Sequence, residues 1–81
     1  MLYNRKATGE VIYELRSERK MSQEVLSGLA EISRSHLSMI ENGQKNANVD
    51  TLWKIAGALD LPLSDLMRRV EEKIRNSGAD E

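Results

Sequence analysis

Residues 21–43, MSQEVLSGLAEISRSHLSMIENG, constrain the fold more than any other part of the chain. Two short helical patterns lie here, with a brief break between them. The first opens at Ser22, whose hydroxyl suits the free N–H groups of a helix start. Glu24 falls in the first turn, at the positive end of the helix dipole. Leu26 and Ala30 follow one turn apart on a single face. The second pattern opens at Ser33, another good N-cap, and runs over residues 34–42. Leu37 and Ile40 are its inward pair, and Gly43 ends it as the residue that best tolerates a left-handed backbone. Ile32, in the connector, is the apolar plug between the two. Helices this short bury their apolar faces only against each other and against helices on either side.

Those flanking helices are legible. A first helix is expected over about residues 7–20, with Val11, Ile12 and Leu15 as its apolar stripe. A fourth is expected over residues 49–59, capped by Asn48, with Leu52, Ile55, Ala56 and Leu59 closing the core at helical spacing. Asp60 follows where a left-handed residue is needed, a conformation Asp tolerates better than most. Leu61 re-enters the core, and Pro62 introduces a fifth helix over residues 63–76, with Leu66 and Met67 inward. A single proline and the lack of period-two alternation argue for an all-helical chain. The expected division is an N-terminal arm at 1–7, a five-helix domain at 8–76 and a disordered tail at 77–81. The arm reads as a frayed end, with a basic strand of Arg5 and Lys6 along a phosphate backbone as the functional alternative.

Taken together, GEVIYELR, then SQEVLSGLAEISRSHLSMIENG, then TLWKIAGALDLPLSDLM resemble the Cro and phage-repressor (XRE-type) helix-turn-helix domain. The resemblance covers residues 8–67. It implies a compact, all-α, five-helix fold of the lambda-repressor-like kind. Two positions depart from the family pattern. Ser27 stands where a small alanine is usual, and Glu31 where the turn usually has glycine, so a left-handed turn there would carry a Cβ.

What the resemblance implies for function is specific. Arg16 and Glu41 would form an ion pair bridging the first helix to the end of the third. The third helix would enter the major groove with its first turn leading. Arg34, Ser35, Ser38 and Met39 would then face base edges. Arginine can bond guanine O6 and N7 together, serine either base, and Met39 a thymine methyl. Gln23, His36, Asn42, Gln44, Lys45 and Asn46 would hold phosphate oxygens, which position a protein without reading sequence. The partner implied is double-stranded DNA carrying a palindromic operator. A homodimer would match it, because one such helix reads only a few base pairs.

Leu63, Val70 and Ile74 on the fifth helix, with Trp53 on the fourth, are apolar positions a small core need not use. They read either as a dimer interface rimmed by the mixed charges of residues 68–75 or as a helix end folded back on its own core. Val25 and Leu29, spaced four apart on the second helix, are apolar where the family is usually polar. A stripe extended by Val11 would need a cover, such as Leu2 and Tyr3 of the arm.

Bulk properties bound the alternatives. The 81 residues make one domain, with a net charge of −1 that gives no direct support to a nucleic-acid partner. Placement matters more than the sum: residues 33–48 carry Arg34 and Lys45 against a lone Glu41, a locally positive face on a mildly acidic molecule. Cysteine is absent, so thiolate chemistry is excluded and a reducing prokaryotic cytoplasm or nucleoid is the expected setting. No run reaches the length of a membrane span. No nucleophile–base pair, metal-ligand set or phosphate-binding glycine loop is present. The chain is therefore not read as an enzyme, and no cofactor or metal is expected. The rival reading keeps the fold as a protein-interaction module that does not read DNA. Within DNA binding, a phage repressor, a restriction–modification controller and an antitoxin with a toxin partner all fit.

Overall fold

A computed structural model describes residues 1–77. Five helices follow one another: α1 Arg5–Glu18, α2 Gln23–Ala30, α3 Arg34–Glu41, α4 Val49–Ala58 and α5 Leu63–Asn76. α1 lies against α3 and α5, α2 against α3 and α4, and α4 against α5. Among the described residues no helix is long and apolar enough to cross a membrane. The last four residues of the expected tail lie outside the described part.

Side-chain caps set four of the helix starts. Ser22 Oγ accepts from Val25 N at 3.1 Å, Ser33 Oγ from His36 N at 3.0 Å, and Asn48 Oδ1 from Thr51 N at 2.8 Å. Asn4 Oδ1 accepts from Lys6 N at 2.9 Å, which starts α1 at Arg5, earlier than expected. The expected arm of residues 1–7 therefore shortens to 1–4, and the Tyr3 and Thr8 hydroxyls tie it down at 2.7 Å.

Four helices end in one way. Lys20, Glu31, Gly43 and Asp60 all have positive φ, between 57° and 76°. After each, an N–H reaches back five residues: Met21 N to Arg16 O, Ile32 N to Ser27 O, Gln44 N to Met39 O, and Leu61 N to Ala56 O. This is the Schellman closure, which satisfies carbonyls the helix leaves open and sends the chain off at a sharp angle. Only one of the four is glycine. A left-handed residue with a Cβ costs roughly 1–2 kcal/mol, so three of these turns hold strain offset by the apolar residue that follows. Met21, Ile32 and Leu61 all pack on the core.

The core runs through all five helices: Ile12, Leu15, Leu26, Leu37, Ile40, Ile55, Leu59 and Leu66 are buried. Gly9 lets α1 cross the end of α3 closely. A Cβ built there would sit 2.6 Å from Glu41 O and closer still to Ile40 O.

Two expectations need correction. Val70 and Ile74 are not a dimer surface: they are 1% and 3% exposed within their own chain. α5 folds back along α1, and Lys73 Nζ donates to Glu14 Oε2 at 2.7 Å across that seam. An 81-residue chain has so little interior that its last helix is needed to close it. Nor does the arm cover a stripe on α2. Val11 is in the core, while Val25 and Leu29 stay exposed, as does Leu2.

Candidate nucleic-acid interface

α3 is eight residues long, and its two faces differ sharply. Leu37 and Ile40 point into the core at 0% and 1% exposure. Arg34, Ser35 and Met39 stand exposed, with His36 and Ser38 half-buried beside them. The capped first turn holds Arg34 and Ser35 at the outer tip. Beyond α3, Asn42, Gln44, Lys45 and Asn46 are exposed along the loop to α4. Gly43, Gln44 and Lys45 donate their backbone N–H groups back to Ile40 O and Met39 O, which makes that loop a closed turn. Apart from Gln23, which opens α2, the side chains expected at bases and at phosphates therefore lie on α3 and the loop that continues it.

A polar cluster anchors this face from behind. Arg16 Nε donates to Glu41 Oε2 at 2.7 Å and Nη2 to Glu41 Oε1 at 3.0 Å. A third donor, Nη1, reaches Met21 O at 2.8 Å. The pair is shielded, with side chains 12% and 3% exposed. Hydrogen bonding to Glu41, more than the opposing effect of burial, raises the Arg16 pKa above its already high ordinary value. The Tyr13 ring lies over the guanidinium at 5.3 Å, within range of a cation–π contact.

Gln23 belongs to the same cluster. Its Nε2 donates to Glu41 Oε1 at 2.9 Å, so one amide hydrogen is already used. The first residue of α2 is thereby tied to the last of α3, and α1 to both. α3 is held as part of a rigid body, as a geometric reader needs.

Two residues that the sequence offered either as a frayed end or as a basic arm on phosphate also lie at this face. Arg5 Nε donates to Gly43 O at 2.9 Å, and the Lys6 backbone lies 3.2 Å from where a Cβ on Gly43 would be. The basic start of α1 thus lies against the loop after α3. The signal available was the Asn4 cap, which makes Arg5 and Lys6 helical rather than frayed.

A helix-turn-helix family model matches residues 12–66. The immunity repressor of Bacillus phage phi105 is 39% identical over 59 residues, covering 73% of this chain and 41% of the repressor. Control protein C.MunI from Mycoplasma sp is 33% identical over 66 residues, 80% of this chain and 89% of that protein. Among solved structures, the restriction–modification controller C.AhdI from Aeromonas hydrophila superposes with a TM-score of 0.76 at 32% identity, covering 80% of this chain and 98% of its own. The chain spans less than half the length of the phage repressor and nearly all of both controllers. The matched span runs from the core of α1 to the core of α5 and holds every residue of the Arg16–Glu41–Gln23 cluster. The chain belongs to the helix-turn-helix family of the Cro and phage-repressor type.

Proposed function

We propose that this chain is a transcriptional regulator that binds a two-fold symmetric operator in duplex DNA as a homodimer, within a prokaryotic cytoplasm. One observation carries the reading: the outer face of α3 projects Arg34, Ser35 and Met39 while its inner face is locked into the core. An α-helix with its side chains is about 10–12 Å across, the width of the B-DNA major groove. Arg34 reads guanine, Ser35 and Ser38 bond base edges, and Met39 contacts a thymine methyl.

Lys45, Gln44, Asn42, Asn46 and His36 hold phosphates on the flank, with the remaining amide hydrogen of Gln23 on the other side. Arg5 and Lys6 add charge behind the Gly43 loop. Four cations at this face offset the acidic sum of the whole chain, so binding is steep in salt. The relatives are named as a repressor and as control proteins, and the likeness to the controllers runs across almost their whole length. Controller-type regulation is therefore favoured over that of an antitoxin.

Selection of bound sites from random duplex DNA, followed by footprinting, tests the reading. The expected result is a palindrome whose half-sites lie about one helical turn, 34 Å, apart. Recovery of no sequence above background would instead support a protein-interaction module.

A further inference from the structure

Arg5 is exposed in the first turn of α1, yet its side chain is anchored. Nε donates to Gly43 O at 2.9 Å, between residues 38 apart in sequence. The guanidinium is planar and rigid, so that one bond also orients Nη1 and Nη2. Among the described residues neither of those nitrogens has a hydrogen-bond partner. Arginine donates and never accepts, so an anion or water completes them.

The contact is built from both sides. The Asn4 cap holds the first turn of α1 in place. Gly43 admits that turn at close range, since a Cβ there would lie 3.2 Å from Lys6 Cα and 3.3 Å from Lys6 Cβ. On the loop side, Gln44 N and Lys45 N both donate to Met39 O, at 2.9 and 3.3 Å. The carbonyl that Arg5 holds thus belongs to a closed turn. Charge points the same way. Arg16, Lys54, Arg68 and Lys73 pair with carboxylates of their own chain. Among the described residues Arg5, Lys6, Arg34 and Lys45 enter no such pair.

We propose that Arg5 serves the DNA interface in two ways. Nε clamps the loop carrying Gln44 and Lys45 against α1, and the Nη pair takes a backbone phosphate beside the one assigned to Lys45. A forked donor matches phosphate geometry, as a single ammonium does not. The footprint on the duplex then runs from α3 through the loop to the first turn of α1. The proposal rests on the DNA-binding reading above and adds a contact from outside the helix-turn-helix.

Two variants separate the two roles. Each is titrated with duplex DNA of random sequence over a series of salt concentrations. Arg5→Gln puts an amide nitrogen where Nε stood, so the clamp stays and the charge goes. Its slope of log K against log salt is expected to be smaller than that of wild type by about 1. Arg5→Lys keeps the charge but has a methylene where Nε stood. It is expected to keep the wild-type slope and to bind about fivefold more weakly, the worth of one lost hydrogen bond. Both should keep their circular dichroism, because Arg5 is exposed. A wild-type slope for Arg5→Gln overturns the phosphate contact, and wild-type affinity for Arg5→Lys overturns the clamp; either result spares the DNA-binding reading. A wild-type protein that binds no duplex at any salt concentration overturns both that reading and this proposal.

Discussion

Gln23 and Glu41 are joined by a 2.9 Å hydrogen bond, so a side chain expected at phosphate also belongs to the buried cluster that fixes α3. Glu41 accepts from Arg16 through both of its oxygens. Glu41→Ala leaves a shielded guanidinium without its counter-charge. The expected loss of folding stability is on the order of 3–5 kcal/mol. Urea denaturation measures it, and a loss below about 1 kcal/mol would be the behaviour of an exposed pair.

Gly9→Ala is expected to destabilise by about 1–3 kcal/mol, the usual cost of overpacking. The added methyl meets the backbone carbonyls of Ile40 and Glu41, which cannot swing aside as a flexible side chain would. Thermal unfolding reads the effect. An unchanged midpoint would mean that α1 and α3 separate freely.

Glu31→Gly should act in the opposite direction. Glu31 sits at φ 59°, ψ 39°, where a Cβ costs roughly 1–2 kcal/mol. Part of that gain is lost to the greater freedom of glycine in the unfolded chain. The net expectation is a stabilisation of about 0.5–1 kcal/mol, with DNA affinity unchanged. A destabilised variant would contradict the strain assigned to this turn.

These outcomes mark how far the sequence could be read. The caps at Ser22, Ser33 and Asn48 and the left-handed residue at Asp60 were legible because each is set by neighbours a few residues away, whereas the turn at Glu31 was signalled only by the glycine usual there in the family. The seam between α1 and α5 was not. The apolar spacing of Val70 and Ile74 defines a helix face, but periodicity does not say whether that face meets its own chain or another. Gly9 was missed for the same reason: what it must fit is the backbone of α3, far away in sequence. Lys20 at φ 57° has no local signal, since lysine has no particular liking for that conformation. At the candidate interface, the family pattern named the residues of α3 that stand on its outer side, while the hydrogen bond from Gln23 to Glu41 emerged only from the fold.

Lys45 is exposed on the loop after α3 and is assigned a phosphate rather than a base. Lys45→Ala should weaken binding to all sequences alike and lower the slope of log K against log salt by about 1. Titrations at several salt concentrations, on operator and on unrelated duplex, check this. A loss confined to one base pair would move Lys45 among the reading residues.

The claim that α3 reads base sequence is tested most directly at Arg34, exposed in its first turn and held by no contact that the core needs. Site selection with wild type and with Arg34→Ala, run in parallel, compares the two base-preference profiles. The expected result is a variant with unchanged circular dichroism, weaker by roughly 1–3 kcal/mol, whose preference relaxes at one base pair in each half-site. The same selected sequence at the same affinity for both proteins would contradict the placement of α3 in the major groove.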